Sequence, residues 1–189
     1  MEYQQATRSL NDYRQQIVAL KEKMRSVQAE VEPQAVDNYT FTTPDGTVTL
    51  AELFGDHDHL FIVHNMGVSC PYCTLWADGF NGVNDHLQSR AAFVLSSPDS
   101  PKQQAAFKAS RGWRFPMVSH AGTSFAADMG YKGDDGWQPG VSVFRKDGDQ
   151  ILRVSDTWFG PGDDFCNVWS LFDLLPEGSG GWAPKYKYD

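Results

Sequence analysis

Residues 59–80 read HLFIVHNMGVSCPYCTLWADGF, and the fold turns on how this stretch is divided. HLFIVHNM is a near-continuous apolar run, the pattern of a strand buried on both faces. Beyond it Trp76, Phe80, Val83 and Leu87 step by four, three and four along one helical face. Gly79 and Gly82 weaken that helix by up to ~1 kcal/mol each, so a bend is expected there. Cys70 and Cys73 lie at the junction, with Pro71 between them. At a helix N-terminus, unpaired backbone N–H groups and the helix dipole face the Cys70 sulfur and favour its thiolate. A dipole contribution of ~0.5–2 kcal/mol lowers a thiol pKa by roughly 0.4–1.5 units. Pro71 suits the first helical turn, which needs no N–H from it. Cys73 falls one turn on, on the same face, within reach of a disulfide. The pattern predicts an exposed, attacking Cys70 and a shielded, resolving Cys73.

Three readings of the pair stand side by side: a metal clamp, a redox couple, or two small core residues. A structural zinc site needs two further ligands, and there is no second C-x-x-C. His57 and His59 begin the strand whose other end leads to Cys70. At ~3.3 Å per residue that places them on the order of 20 Å away, too far to share a metal. Cys166 reads as a buried helix residue.

The 189 residues suit one domain, and 41% hydrophobic with 21% charged residues is an ordinary globular composition. A net charge of −8 argues against nucleic acid or an anionic membrane as partner. There is no run of ~18 apolar residues to span a membrane. The polar start MEYQQATRSLNDYRQQ lacks a signal-peptide apolar region. A cytoplasmic protein is therefore expected, and in that compartment a close cysteine pair points to metal or redox chemistry.

Outward from the centre, Leu10, Tyr13, Ile17, Leu20, Met24, Val27 and Val31 alternate steps of three and four. That is a heptad seam on a helix over roughly residues 4–31, about 40 Å long, which Glu32-Pro33 ends. Such a stripe packs on its own domain or mediates a homodimer. Residues 1–34 are read as a helical extension and 177–189 as an unpatterned tail, with Trp182 its expected pin, of a single domain. YTFTTPDGTVTL signals a hairpin, and AAFVLSS a second buried strand. Asp99 or Ser100 caps a helix with Pro101 in its first turn and Gly112 beyond its end. RFPMVS reads as a short strand and TSFAADMGY as a short helix. GVSVFRKDGDQILRVSDTW is a hairpin turning at Asp147-Gly148. Phe165, Val168, Trp169 and Phe172 mark a last helix, closed by Pro176. The order predicts an α/β protein with a mixed sheet and helices on both faces.

Strand, C-x-x-C at a helix start, strand, helix, hairpin and final helix resembles the order of the thioredoxin fold. CPYC is similar to the glutaredoxin tetrad, and WRFPMVSHAGTSFAADMGY resembles the insertion that peroxiredoxins carry before the hairpin. With PGVSVFRKDGDQILR and VWSLFDLLPEG, the whole chain resembles a bacterial thioredoxin-like family, number eight hundred and ninety-nine among the domains of unknown function. The resemblance implies a thioredoxin-like α/β fold with a peroxiredoxin-type insertion and a long N-terminal helix. It also implies thiol–disulfide exchange by Cys70 and Cys73, without cofactor or metal, on a disulfide-containing protein or small thiol substrate. Thioredoxins carry a proton-moving buried acid six residues before the first active cysteine; here that place is His64, whose other reading is a satisfied core residue. Their cis-proline before the hairpin corresponds to Pro139, which also reads as an ordinary turn. Peroxiredoxins place Pro and Thr seven and three residues before the attacking cysteine, where this chain has Val63 and Gly67. That departure disfavours a peroxide reductase. A redox-silent binding module on the same frame is the other alternative.

Overall fold

In chain order the computed structural model, which describes residues 2–188, begins with α1 (Tyr3–Ala29), β1 (Gln34–Val36), β2 (Thr40–Thr43), β3 (Gly46–Thr49) and a single 3-10 turn at Glu52–Phe54. It continues with β4 (His59–His64), α2 (Pro71–Gly82), α3 (Asn84–Gln88), β5 (Ala92–Ser97), α4 (Pro101–Arg111), β6 (Met117–Ser119) and α5 (Phe125–Asp128). The remainder is β7 (Lys132–Gly133), β8 (Gly136–Trp137), β9 (Gly140–Asp147), β10 (Gln150–Trp158) and α6 (Asn167–Phe172). The chain divides into two compact units, a helical one ending at Pro33 and a second beginning at Gln34. The expected tail 177–189 is described as far as Tyr188.

The second unit is built on an eight-stranded sheet ordered β1-β10-β9-β4-β5-β6-β2-β3. β4, β5 and β6 run parallel, and β9 joins β4 antiparallel, with His64 opposite both Ser96 and Gly140. The alternation of side chains along each strand sorts the core into two layers. Leu60 and Ile62 of β4, Val94 of β5 and Phe144 of β9 face a cluster with Phe41, Phe54, Phe125 and Tyr131. Val63, Phe93, Leu95 and Val141 face the other, which contains Cys70, Cys73, Trp76, Trp113, Phe159, Cys166 and Trp169. Burial on both faces explains why β4 and β5 read as continuous apolar runs rather than alternating ones.

Most expected elements appear, with physical reasons for the departures. The helix after the cysteines breaks at Val83 (φ −114°, ψ 12°), directly after Gly82, into α2 and α3, and Val83 itself is exposed. Ser100 rather than Asp99 caps α4: its hydroxyl accepts from Gln103 N–H while the Gln103 side chain reaches back, a reciprocal capping box. The last helix is shorter than the apolar steps suggest, and Phe165 lies outside it. Edge strand β1 and the small β7–β8 hairpin carry too few residues for periodicity to reveal. Among the described residues no helix is long and apolar enough to cross a membrane.

Candidate functional site

β4 delivers the chain to the C-terminal edge of the parallel strands, and residues 65–69 turn it into α2. Three polar anchors shape that turn. Asn65 accepts from Gly67 N–H at 2.8 Å through Oδ1, with its Nδ2 3.5 Å from the Cys73 carbonyl. Asp99, just past β5, accepts from Val68 N–H at 3.0 Å and from the Ser97 hydroxyl at 2.9 Å. Cys70 N–H closes the turn onto the Gly67 carbonyl at 3.1 Å. Gly67 has φ +107°, which side chains rarely adopt, and a β-carbon there would stand 3.0 Å from both Asp99 carboxylate oxygens, which would have to give way.

Cys70 is the N-cap of α2. Its sulfur accepts the Cys73 N–H at 3.0 Å, the role a serine or aspartate oxygen ordinarily fills. The Thr74 hydroxyl donates to the Cys70 carbonyl at 3.0 Å and fixes the first turn. Both thiols are free. The Cys70 thiol is lowered from 9.0 to about 7, first by hydrogen bonding from the Cys73 thiol, against the opposing effect of burial, with help from the Cys73 and Tyr72 N–H groups. Cys73 moves strongly upward, because its proton is held by Cys70 and burial disfavours its charge. The pair is thus split into a thiolate at neutral pH and a firmly protonated partner, the division expected of an attacking and a resolving cysteine. The hydrogen bond from the second thiol is the largest cause of the lowering, with the N–H groups of the helix end behind it.

Cys70 is not exposed as the sequence suggested: it is 8% accessible, and Cys73 is 2%. Tyr72 stacks on Trp169 at 6.3 Å and Trp76 meets Phe159 at 5.4 Å, so aromatic rings from α6 and the loop after β10 close over α2. The C-terminal tail adds a further layer. Trp182 packs against Trp169 and Phe172, and Tyr186 donates its hydroxyl to the Val68 carbonyl at 3.0 Å. Tyr186 is pushed upward by burial and then by its electrostatic interaction with the Cys70–Cys73 pair, so its phenol stands within electrostatic reach of the dithiol. A cleft of about 590 Å³ between the β2–β3 hairpin and α4, lined by Pro44, Gln104, Lys108 and Trp113 among others, holds none of the cysteines.

The two residues carried over from thioredoxins behave differently from the cysteines. His64 shares the parity of Leu60 and Ile62 and lies in the layer opposite the dithiol. Its Nε2 pairs with Ser142 Oγ at 2.9 Å and its ring stacks on Tyr131 at 3.8 Å. Burial, then the nearby His120 and Arg153, hold it well below its usual pKa and therefore neutral. It is a buried residue of that layer, with Nε2 paired and the other ring nitrogen, Nδ1, without a partner. Pro139 sits at the correct end of the sheet, immediately before Gly140, the partner of His64. Its peptide bond is trans, as is every one among the described residues, which corrects the cis expectation. Bonds from Gln138 N–H to the Tyr131 carbonyl and from Phe159 N–H to the Pro139 carbonyl, both 2.9 Å, pin the chain on either side as it runs from β8 into β9. Cys166 is buried in the dithiol layer, at the N-cap of α6 rather than inside a helix, and burial raises its pKa. Among the described residues no three His, Cys, Asp or Glu side chains converge as a metal site.

The sequence reading passes over Asn65 and Tyr186, and takes Asp99 only as a candidate helix cap. Asp99 carried a signal, since SSPDS closes a buried parallel strand beside the one that leads to the cysteines. Tyr186 carried none: 118 residues separate it from its acceptor.

These features define a thioredoxin-fold protein with a peroxiredoxin-type insertion and a dithiol at a helix N-terminus. The chain belongs to the family described as bacterial protein of unknown function (DUF899), which matches residues 1–188. No curated protein matches it. Solved structures similar to it include peroxiredoxin Q of Xanthomonas campestris, at 20% identity and TM-score 0.54, covering 64% of this chain and 80% of that one. Reduced Prx3 from Vibrio vulnificus matches at 15% identity and TM-score 0.57, covering 70% and 89%. The peroxidoxin BcpB of Mycobacterium tuberculosis matches at 25% identity and TM-score 0.52, covering 64% and 80%. The likeness in each case is one of fold.

Proposed function

We propose that this protein is a thiol–disulfide oxidoreductase acting through Cys70 and Cys73. The observation that carries the reading is the asymmetry of the pair: Cys70 caps α2 and draws its pKa down to about 7, while Cys73 keeps its proton. The Cys70 thiolate attacks one sulfur of a substrate disulfide, and the other leaves as a thiolate that takes up a proton. Cys73 then gives up its proton and displaces the substrate from Cys70, leaving a Cys70–Cys73 disulfide and a fully reduced substrate. An external dithiol reductant restores the pair. A thiol with pKa near ambient pH serves both as nucleophile and as leaving group in this exchange. The substrate is a disulfide-bearing protein segment or a small disulfide, and the low exposure of Cys70 favours a narrow one. A reducing compartment such as the cytoplasm sets the direction.

The peroxiredoxin names of the similar structures support thiol-based redox chemistry in general. Peroxide reduction is disfavoured because the chain has Gly67 and Val63 where peroxiredoxins have Thr and Pro, and Gly67 cannot be widened without displacing Asp99.

The test is mixed-disulfide trapping in the full chain. Cys73→Ser is expected to accumulate covalent adducts with disulfide substrates through Cys70, and Cys70→Ser none. Equal trapping by both variants, or a Cys70 that alkylates no faster than Cys166, overturns the oxidoreductase reading in favour of a binding module. Peroxide turnover without disulfide reductase activity overturns it in favour of a peroxidase.

A further inference from the structure

α1 is 27 residues long and buries none of them. Helices in proteins draw most of their stability from packing an apolar face rather than from propensity. The apolar residues of α1 are nonetheless not scattered. Tyr3, Leu10, Ile17 and Met24 occupy one heptad position, with Val31 continuing the register just past the helix. Ala6, Tyr13, Leu20 and Val27 occupy the position three residues on. Apart from the small Ala6, these side chains are 45–86% exposed. No polar residue interrupts the seam from Tyr3 to Val31.

We infer that α1 is a dimerisation helix whose partner is a second copy of this chain, aligned parallel and in register as a two-stranded coiled coil. The charges beside the seam select that arrangement. Flanking positions on one side are Thr7, Arg14, Lys21 and Gln28, and on the other Ser9, Gln16, Lys23 and Glu30. In a parallel pair the facing residues are Ser9 with Arg14, Gln16 with Lys21, and Lys23 with Gln28, so no like charges meet. In the antiparallel register of greatest overlap, which sets Leu10 against Leu20 and Tyr13 against Ile17, Arg14 faces itself. One heptad to one side, Ile17 meets Leu20 and Arg14 faces Lys21 twice. The two antiparallel registers that overlap α1 most therefore oppose cations, and the one beyond them leaves residues 21–29 unpaired. β-branched Ile17 in the first seam position and Leu20 in the second also fit a parallel two-stranded pair.

The experiment uses the full chain. Sedimentation equilibrium at micromolar concentration is expected to give twice the chain mass. Ile17→Asp combined with Leu20→Asp is expected to halve it, while near-UV circular dichroism, reporting the aromatic core of the second unit, stays unchanged. Mild oxidation of a Leu20→Cys variant is expected to link the two introduced thiols to each other, identified by peptide mapping, because a parallel register brings residue 20 against itself. A monomeric wild-type protein overturns the inference. So does a dimer indifferent to the paired aspartates. A dimer in which Leu20→Cys never self-links, but Leu20→Cys chains cross-link to Leu10→Cys or to Ile17→Cys chains when the two are mixed, overturns the parallel arrangement.

Discussion

The Asp99 carboxylate stands 3.0 Å from the point where a β-carbon on Gly67 would lie, and the same carboxylate holds Val68 N–H two residues before Cys70. Backbone freedom at Gly67 and the charge at Asp99 therefore form a single device. The turn must pass close over the carboxylate to be captured by it, and only a residue without a side chain passes that close.

Gly67→Ala is accordingly expected to lower stability by about 1–3 kcal/mol, from the strain of a positive φ together with displacement of Asp99. Urea unfolding measures it. Alkylation of Cys70 should slow in the same variant, because the turn that presents the sulfur is disturbed. Unchanged unfolding and unchanged reactivity together contradict this account of the turn.

The rate of Cys70 alkylation should follow a single titration with a midpoint of about 7. Only the thiolate reacts, so the rate falls as pH drops through that value. Cys73→Ala removes the thiol donor that leads the shift, and the midpoint is expected to climb toward 9, the ordinary value. Cys73→Ser keeps a hydroxyl donor and should lie between. A midpoint that ignores residue 73 would assign the activation to the helix end alone.

Tyr186→Phe deletes the hydroxyl bond to the Val68 carbonyl while keeping the ring that packs on Phe107. A cost of about 0.5–1.5 kcal/mol is expected for one such bond. Faster alkylation of Cys70 should accompany it if the tail restricts access to the dithiol. Slower or equal alkylation would mean that the tail only braces the turn.

The central architecture was legible because its signals are local. Burial on both faces writes itself into β4 and β5 as unbroken apolar runs, and a proline between two cysteines marks a helix start. The peroxiredoxin-type insertion before the hairpin was visible only as a resemblance, carried by WRFPMVSHAGTSFAADMGY. What the sequence could not disclose depends on parity and on distance. His64 stands six residues before Cys70, as the thioredoxin acid does, but the pleat turns its side chain to the other layer. Cys70 looks exposed from its place at a helix end, yet rings from α6 and a tail more than a hundred residues away close over it. From the sequence Asp99 reads only as one of two candidate caps, with Ser100, for the helix that follows it, because a cap is the nearest use for an aspartate. Its actual partner lies across the parallel pair β4–β5.

The layer opposite the dithiol predicts an acid-sensitive fold. His64 and His120 are both buried, each with one ring nitrogen on a serine: His64 Nε2 with Ser142 at 2.9 Å, and His120 Nδ1 with Ser96 at 2.8 Å. The other nitrogens, His64 Nδ1 and His120 Nε2, have no partner. Protonating either ring places charge in an apolar layer, beside the other histidine and near Arg153 and Lys132 respectively. Burial first, and these charges second, hold His120 down to about 4 and His64 well below 6.5. Both rings are neutral in the fold at pH 7, whereas in the unfolded chain they titrate near 6.5. As pH falls below 6.5 the unfolded chain binds up to two protons that the folded one refuses, so stability drops. The drop should run from about pH 6.5 toward 4 and reach roughly 3 kcal/mol between pH 7.5 and 5.5 for the two rings together. The lowered carboxylates of Glu52, Asp85 and Asp128 act at still lower pH and leave this window clear. Urea unfolding at a series of pH values measures the slope. His120→Asn, which retains a side-chain partner for Ser96, is expected to halve the loss over this window. A wild-type stability that is flat from pH 7.5 to 5.5 would mean that the buried rings accept protons in the folded state, through a water or an opening that relieves their two unpartnered nitrogens.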